Sequence, residues 1–488
     1  MPLDHAGPRV PFDNTYARLP ARFYARVEPT HVAAPRIVRV NHDLAALLGL
    51  DPAALDADLL GGNRLPIGAE PIAQAYSGHQ FGHFSPTLGD GRAVLLGEVI
   101  GSDGRRYDIQ LKGSGPTPFS RNGDGRAALG PVLREYLIGE AMHALGIPTT
   151  RALAAVTTGE PVYRETARPG AVLTRVAASH IRVGTFQFFA SKGDAEGVRT
   201  LADYAIARHY PDLDGDYRGF LDAVIARQAE LVARWLQVGF IHGVMNTDNT
   251  AISGETIDYG PCAFIDAYDP ATVFSSIDRG GRYAYGQQPR IAAWNLARLA
   301  EALLPLLGPN QETAVEAAKQ AIAGFAPRFE PAFLAGLRRK IGLETEQEGD
   351  DELVQALLRH MQEGGTDWTL TFRTLADAAE GNDAPARALF SPGAAWDAWA
   401  GHWKARLVRE PGVPAKRAAA MRALNPLYIP RNHLVEAALD AAVQSGDYRP
   451  FEELLGVITK PYEQRSSLER FALPPRQEER VLATFCGT

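Results

Sequence analysis

Three side chains in the stretch FIHGVMNTDNTAISGETIDYGP, Phe240 to Pro261, are suited to work on a phosphate ester. Asn249 and Asp258 offer hard oxygen donors of the kind that hold Mg²⁺ through one carboxylate and the substrate's own phosphates. Asp248 is the only carboxylate in HGVMNTDN and is therefore the candidate proton acceptor. A lone loop Asp beside an Asn is more often a turn former, so both readings stand. His242 could act as a base in principle, but packing is its simpler role.

A second group of residues is cationic. Lys112 ends the stretch YDIQLK, and Glu135 lies 23 residues further on in a helical pattern. Arg175 and Arg182, in LTRVAASHIRVG, are seven residues apart, so in a helix both guanidinium groups would share one face. Arginine grips phosphate with two parallel hydrogen bonds and stays charged. Solvated arginines and a surface Lys are the plain alternatives. The loop GDGR at 89–92 adds Gly89 and Gly91, which let the backbone approach a phosphate closely, and the cation Arg92. The same letters also make an ordinary hairpin turn. They recur at 123–126, where Asp124 and Gly125 sit just ahead of a helix. His79 and His83, four apart in GHQFGH, have no third ligand nearby, so no zinc site is expected there.

These residues need elements to hold them. AVLLGEVIG, SDGRR and YDIQLKG read as strand, turn and strand. After a Gly/Pro/Ser loop comes a helix, PVLREYLIGEAMHALG, with Pro131 at its start and Gly146 at its end. PTTRALAAVTTGEPVYRE and GAVLTRVAAS read as further strands, and beyond about residue 195 apolar residues recur at helical spacing. The expected fold is α+β with two lobes. Residues 1–70 form an N-terminal extension, 71–170 a strand-rich lobe, and 171–430 a helical lobe bearing the active-site loops. Residues 431–488 form a helical segment with a Cys-bearing tail. The cleft between the lobes is the expected place for an active site.

Composition narrows the partners. Hydrophobic residues make up 45% and charged residues 22% of the 488, as in ordinary globular proteins. A formal charge of −7 with no basic clustering argues against a nucleic-acid partner. No apolar run approaches the ~18 residues that would suggest a membrane span, and the start shows no basic and then apolar leader, so a cytoplasmic location is expected. Two cysteines, Cys262 and Cys486, are too few for a disulfide scaffold and fit a reducing compartment.

The stretch Phe240–Pro261 looks like the catalytic loop of a protein kinase, H-R-D-x-x-x-x-N followed by D-F-G. His242, Asn249 and Asp258-Tyr259-Gly260 fill their places, but Val244 stands where a kinase has its catalytic Asp. In kinases a strand Lys contacts the nucleotide phosphates and is held by a Glu on the next helix, as Lys112 and Glu135 would be. Over nearly its whole length the chain resembles the selenoprotein O (SelO) family of protein adenylyltransferases. The resemblance runs through YSGHQFGHFSPTLGDGR, YDIQLKGSGPTPFSRNGDGRA, LREYLIGEAMHALGIPTTRAL and IHGVMNTDNTAISGETIDYGP.

That resemblance implies a protein-kinase-like fold and transfer of AMP, not phosphate, from ATP to Ser, Thr or Tyr hydroxyls of proteins. It implies that Gly89, Gly91, Arg92, Lys112, Asp124, Gly125, Arg175, Arg182 and Asp258 bind ATP. Glu135 would hold Lys112, Asn249 and Asp258 would hold Mg²⁺ (Mn²⁺ being the alternative ion), and Asp248 would accept the proton. Diphosphate carries more charge than a single phosphoryl group, so several fixed cations should help it leave. The resemblance further implies redox-linked protein targets, self-modification, and a reversible disulfide between Cys262 and the tail's Cys486, with two unrelated thiols as the alternative. Transfer of the γ-phosphate with Asp248 as base, and a nucleotide-binding scaffold without turnover, are the competing functions.

Overall fold

The computed structural model describes residues 7–391 and 393–485. Its strands are, in chain order, β1 (Tyr24–Arg26), β2 (Arg36–Val40), β3 (Ile72–Gln74), β4 (Gly78–Gln80), β5 (His83–Ser85) and β6 (Ala93–Ile100). They continue with β7 (Arg106–Lys112), β8 (Ala127–Ala128), β9 (Arg151–Tyr163), β10 (Ala167–Ala177), β11 (Phe240–Ile241) and β12 (Ala263–Phe264). An eight-stranded antiparallel sheet runs in the order β1-β3-β6-β7-β10-β9-β2, with β8 added to β10. Residues 24–26 and 36–40 are therefore strands of this sheet.

Strand β7 shows how the sequence sorts the two faces. Side chains alternate along a strand, so Ile109 and Leu111 point one way and Asp108, Gln110 and Lys112 the other. The apolar face joins a core with Val94, Leu96, Val172 and Val176 under two short helices, α1 (His42–Leu47) and α2 (Ala57–Gly61). The polar row faces the site. Across it runs α3 (Leu129–Ala144), whose first turn takes Pro131 without loss because those N–H groups have no helical partner anyway. Gly146, just past its end, has φ +77°, a conformation that costs glycine nothing.

The remainder is helical. Helices α4 (Val183–Ala190), α5 (Ala195–His209), α6 (Tyr217–Gln237) and α7 (Gln288–Leu307) pack around the loop between β11 and β12. The helices from α8 (Gln311–Ala323) to α16 (Arg449–Ile458) complete this region, and α16 also packs against α3. The protein is thus mixed α/β, rich in sheet towards its N-terminus and helical towards its C-terminus. Among the described residues no helix is long and apolar enough to cross a membrane.

Candidate active site

The loop 242–262 is pinned at both ends by a two-residue ladder that pairs Phe240 with Phe264 and Ile241 with Ala263. Phe240, Ile241 and Phe264 are buried, which anchors the ladder in the main core. The loop itself is free to serve chemistry. Asp258 sits in it at φ +62°, the left-handed conformation that Asp tolerates better than most residues. Its carboxylate is the convergence point of the site. Lys112 Nζ donates to its Oδ1 at 2.7 Å, Arg175 Nη1 donates to the same oxygen, and Arg182 Nη1 donates to Oδ2 at 2.7 Å. Burial pushes the Asp258 carboxyl up, but the charges of Lys112, Arg175 and Arg182 outweigh it and hold it well below the usual range.

The Lys–Glu pair forms as its spacing suggests: Lys112 Nζ donates to Glu135 Oε2 at 2.6 Å. Arg175 Nη1 donates to Glu135 Oε1 at 3.1 Å, and its Nη2 to Gln110 Oε1 at 2.7 Å. The strand reading of GAVLTRVAAS holds, so the helical condition for a shared face of Arg175 and Arg182 is not met. Arg175 lies in β10, paired on both sides by β7 and β9, while Arg182 is the residue before α4. Val172, Thr174 and Val176 favour a pleated strand, and the chain bends at Ala178, just past the strand, before the helix begins. The two guanidinium groups nonetheless meet at Asp258, by tertiary packing and not by helical period.

Around this cluster lies a cavity of about 530 Å³. Gly89, Gly91, Arg92, Asp124 and Gly125 are among the residues that line it. The GDGR loop is tethered from within by Asp90, whose Oδ2 accepts from the Gln74 N–H at 3.0 Å and from Gln110 Nε2 at 3.2 Å. Burial pushes the Asp90 carboxyl up to about 6, with Arg182 pulling against it. Phe119, from the Gly/Pro/Ser loop, packs so closely that a Cβ on Gly89 would lie 2.3 Å from its ring. The glycines here therefore admit Phe119 as well as any ligand. Asp124 is engaged by Arg164 Nη1 at 2.8 Å, chiefly through which its carboxyl titrates below the usual range.

Asp248 and Asn249 lie in a single 3₁₀ turn, Thr247–Asn249, at the cavity's edge. Burial pushes the Asp248 carboxyl up to about 6, against the pull of Arg182, whose Nη1 donates to the Asp248 carbonyl at 2.7 Å. Asn249 Nδ2 donates to the Val244 carbonyl at 3.0 Å, which leaves its Oδ1 as the atom with donor capacity for a cation. Val244 also lines the cavity, so an apolar side chain stands at this place in the loop. His242 is buried, with Nε2 bonded to the Ile257 carbonyl at 2.9 Å, and its pKa is lowered by that burial. Its place is in the packing beneath the loop.

Comparison with known proteins shows the family of the chain. The sequence profile of the family described as protein adenylyltransferase SelO matches residues 9–459. The chain belongs to that family. It is 63% identical over 486 residues to the protein nucleotidyltransferase YdiU of Bradyrhizobium sp. (strain BTAi1 / ATCC BAA-1182), covering 98% of this chain and 99% of the relative. It is 64% identical over 493 residues, with the same coverage, to the protein of that name from Methylorubrum populi (strain ATCC BAA-705 / NCIMB 13946 / BJ001). As a member of the SelO family the chain is a nucleotidyltransferase, with ATP as its AMP donor.

In this SelO family member Cys262 is buried at the start of the ladder, and burial pushes its thiol up to about 12. Cys486 lies outside the described residues. Thr484, two residues before it, donates from Oγ1 to the Pro261 carbonyl at 2.6 Å and bridges to Ser275. The tail therefore reaches the end of the site loop. Sequence reading missed Asp90, Gln110 and Phe119, which fix the loop and Arg175. The even spacing of Asp108, Gln110 and Lys112 on one strand face was the signal that could have found Gln110.

Proposed function

We propose that this chain transfers AMP from ATP to Ser, Thr or Tyr hydroxyls of proteins. The observation that carries this reading is the convergence of Lys112, Arg175 and Arg182 on the one carboxylate of Asp258, beside a cavity that Asp248 also lines. Two buried arginines and a half-buried lysine in so small a space suit a polyphosphate. In the reaction the hydroxyl oxygen bonds to the α-phosphorus, its proton passes to Asp248, and the bond from that phosphorus to the bridging oxygen breaks. Diphosphate leaves with the electron pair, and Lys112, Arg175 and Arg182 stabilise its charge. Phosphoryl chemistry asks mainly for positioning and electrostatics, so Val244 in place of a carboxylate does not preclude transfer.

Asn249 and Asp258 would hold the metal. One amide oxygen and one carboxylate suit Mg²⁺ or Mn²⁺, which fill their shells with phosphate oxygens and water. Among the described residues no group of three or more His, Cys, Asp or Glu is arranged to hold a metal. When bound, the ion would neutralise phosphate charge. Asp258 would then exchange some of its present cation contacts for the ion, leaving Lys112, Arg175 and Arg182 to the phosphates.

Gly89, Gly91, Arg92, Asp124 and Gly125 would complete the ATP site in a two-lobed, kinase-like arrangement. In it residues 71–170 form the first lobe, joined by β1 and β2 from the 1–70 segment. Residues 171–430 form the second, with 431–488 as the terminal helical segment and tail. A cytoplasmic location, redox-linked targets and self-modification belong to the same reading. So does a disulfide between Cys262 and Cys486, supported by the contact of Thr484 with Pro261. Forming it would require Cys262 to be uncovered, because a buried thiol of raised pKa supplies little thiolate.

Incubation with ATP labelled at the α- or the γ-phosphate tests the reaction. Label from α alone on protein is expected. Label from γ alone would replace this reading with phosphotransfer, and label from neither would leave a nucleotide-binding scaffold.

A further inference from the structure

The hairpin β4–β5 stands apart from the eight-stranded sheet and lies along the 246–248 turn. Three successive hairpin residues each engage that turn. The His79 N–H donates to Thr247 Oγ1 at 2.7 Å, Gln80 Nε2 to Asp248 Oδ2 at 3.4 Å, and the Phe81 N–H to Asn246 Oδ1 at 3.1 Å. Thr247 Oγ1 donates on to Gln187 Oε1 at 2.6 Å, and Gln187 Nε2 lies 2.8 Å from His79 Nδ1, which closes a ring of contacts. Phe81 has φ +52° and Gly82 +87°, positive at both central positions of the two-residue turn. For a bulky residue such as Phe that conformation costs free energy. It is held by Asn246, which also accepts from Tyr283 OH at 2.7 Å, and by the Tyr283 ring, 5.1 Å from that of Phe81.

Gly78 completes the fit. A Cβ on it would lie 2.5 Å from Asp248 Oδ1 and 3.0 Å from its Cγ. The Asp248 carboxylate therefore sits over Gly78, with Oδ2 on Gln80, and among the described residues Oδ1 has no hydrogen-bond partner.

We infer that Gln80 is a positioning residue for Asp248, and that the β4–β5 hairpin, with Gly78 beneath the carboxylate, sets the geometry of the acceptor hydroxyl's attack. This rests on Asp248 being the proton acceptor. Gln80 lines the cavity, but its amide donates to Asp248 and it carries no charge to hold a phosphate, so its effect is expected on kcat and not on the KM for ATP.

The test measures transfer from α-labelled ATP to the chain itself and to added casein, in the full-length protein. Gln80→Ala and the shorter Gln80→Asn are expected to lower kcat about tenfold, with the KM for ATP unchanged. Gly78→Ala is expected to lower kcat further, because the carboxylate must move. In an Asp248→Ala background, where long incubations read the residual transfer, Gln80→Ala is expected to add nothing. A tenfold loss from Gln80→Ala in that background as well, or a raised KM at unchanged kcat, would overturn the inference. So would full activity of both Gln80 variants while Asp248→Ala is impaired. Full activity of Asp248→Ala would instead overturn the reading of Asp248 itself.

Discussion

The polar row on β7 ends in two clusters of buried charge, and they are satisfied in opposite ways. At one end, Asp108 Oδ1 accepts from Arg208 Nη2 at 2.5 Å, while its Oδ2 accepts from the His180 N–H at 3.0 Å and pairs with His180 Nδ1 at 2.9 Å. Its neighbour Glu98 accepts from Arg208 Nη1 at 3.0 Å, from the Tyr16 N–H at 2.6 Å and from Thr15. The two carboxylates there share Arg208, and each has further donors besides. At the other end, Lys112, Arg175 and Arg182 all share Asp258, and the cluster opens onto a cavity. Matched charges fasten sheet to helix. Three cations that share Asp258, two of them also bound to Glu135, form beside a cavity a site suited to an added polyanion.

Breaking the crowded end should affect the rate most. Asp258→Asn keeps the shape but removes the charge on which the cations and the proposed metal depend. AMP transfer followed with α-labelled ATP is expected to fall by about 10³-fold or more, in line with the loss of a principal electrostatic element. A rate within tenfold of the wild type would dissolve the distinction between the two ends.

Breaking the matched end should affect stability instead. Arg208→Ala strands Glu98 and Asp108 as buried, partly unpaired carboxylates, and urea unfolding is expected to show a loss of about 3–5 kcal/mol. The KM for ATP of the folded fraction should stay near the wild-type value. An unchanged unfolding midpoint would show that the clasp contributes nothing to holding the fold.

A smaller effect concerns Glu255, which accepts from the Ala178 N–H at 2.9 Å on the chain segment leading to His180. Burial pushes its carboxyl up to about 7. The native state then binds a proton more tightly than the unfolded chain, so this group's contribution is full below pH ~4.5 and is lost as pH rises through about 7. Glu255→Gln should remove that loss. Relative to wild type it should gain on the order of 2–3 kcal/mol between pH 5 and pH 8 in urea unfolding. A gap between the two proteins that does not change with pH would contradict the burial argument.

Much of this was legible in the chain, for reasons of local chemistry. Alternation along YDIQLKG fixed the face of Lys112, and the apolar spacing with Pro131 and Gly146 marked α3, so the Lys112–Glu135 pair followed. The residue types in HGVMNTDN and DYG identified Asn249, Asp248 and Asp258 as the groups to watch. Arg175 and Arg182 were legible as phosphate-seeking cations, and Arg175 as a strand residue, but their meeting at Asp258 was not, because a seven-residue spacing that leaves the strand does not record where the chain goes next.

What the sequence alone determined is therefore the chemistry on offer: the cations, the oxygen donors, and the elements whose periodicity is written in consecutive residues. What only the tertiary structure decided is which of them meet. Gln80 reaches Asp248 across 168 residues and Lys112 reaches Asp258 across 146. Thr484 returns to Pro261 across 223. Such contacts are set by how sheet and helices pack their apolar faces, and that packing sums over the whole core, so no short stretch of sequence records it.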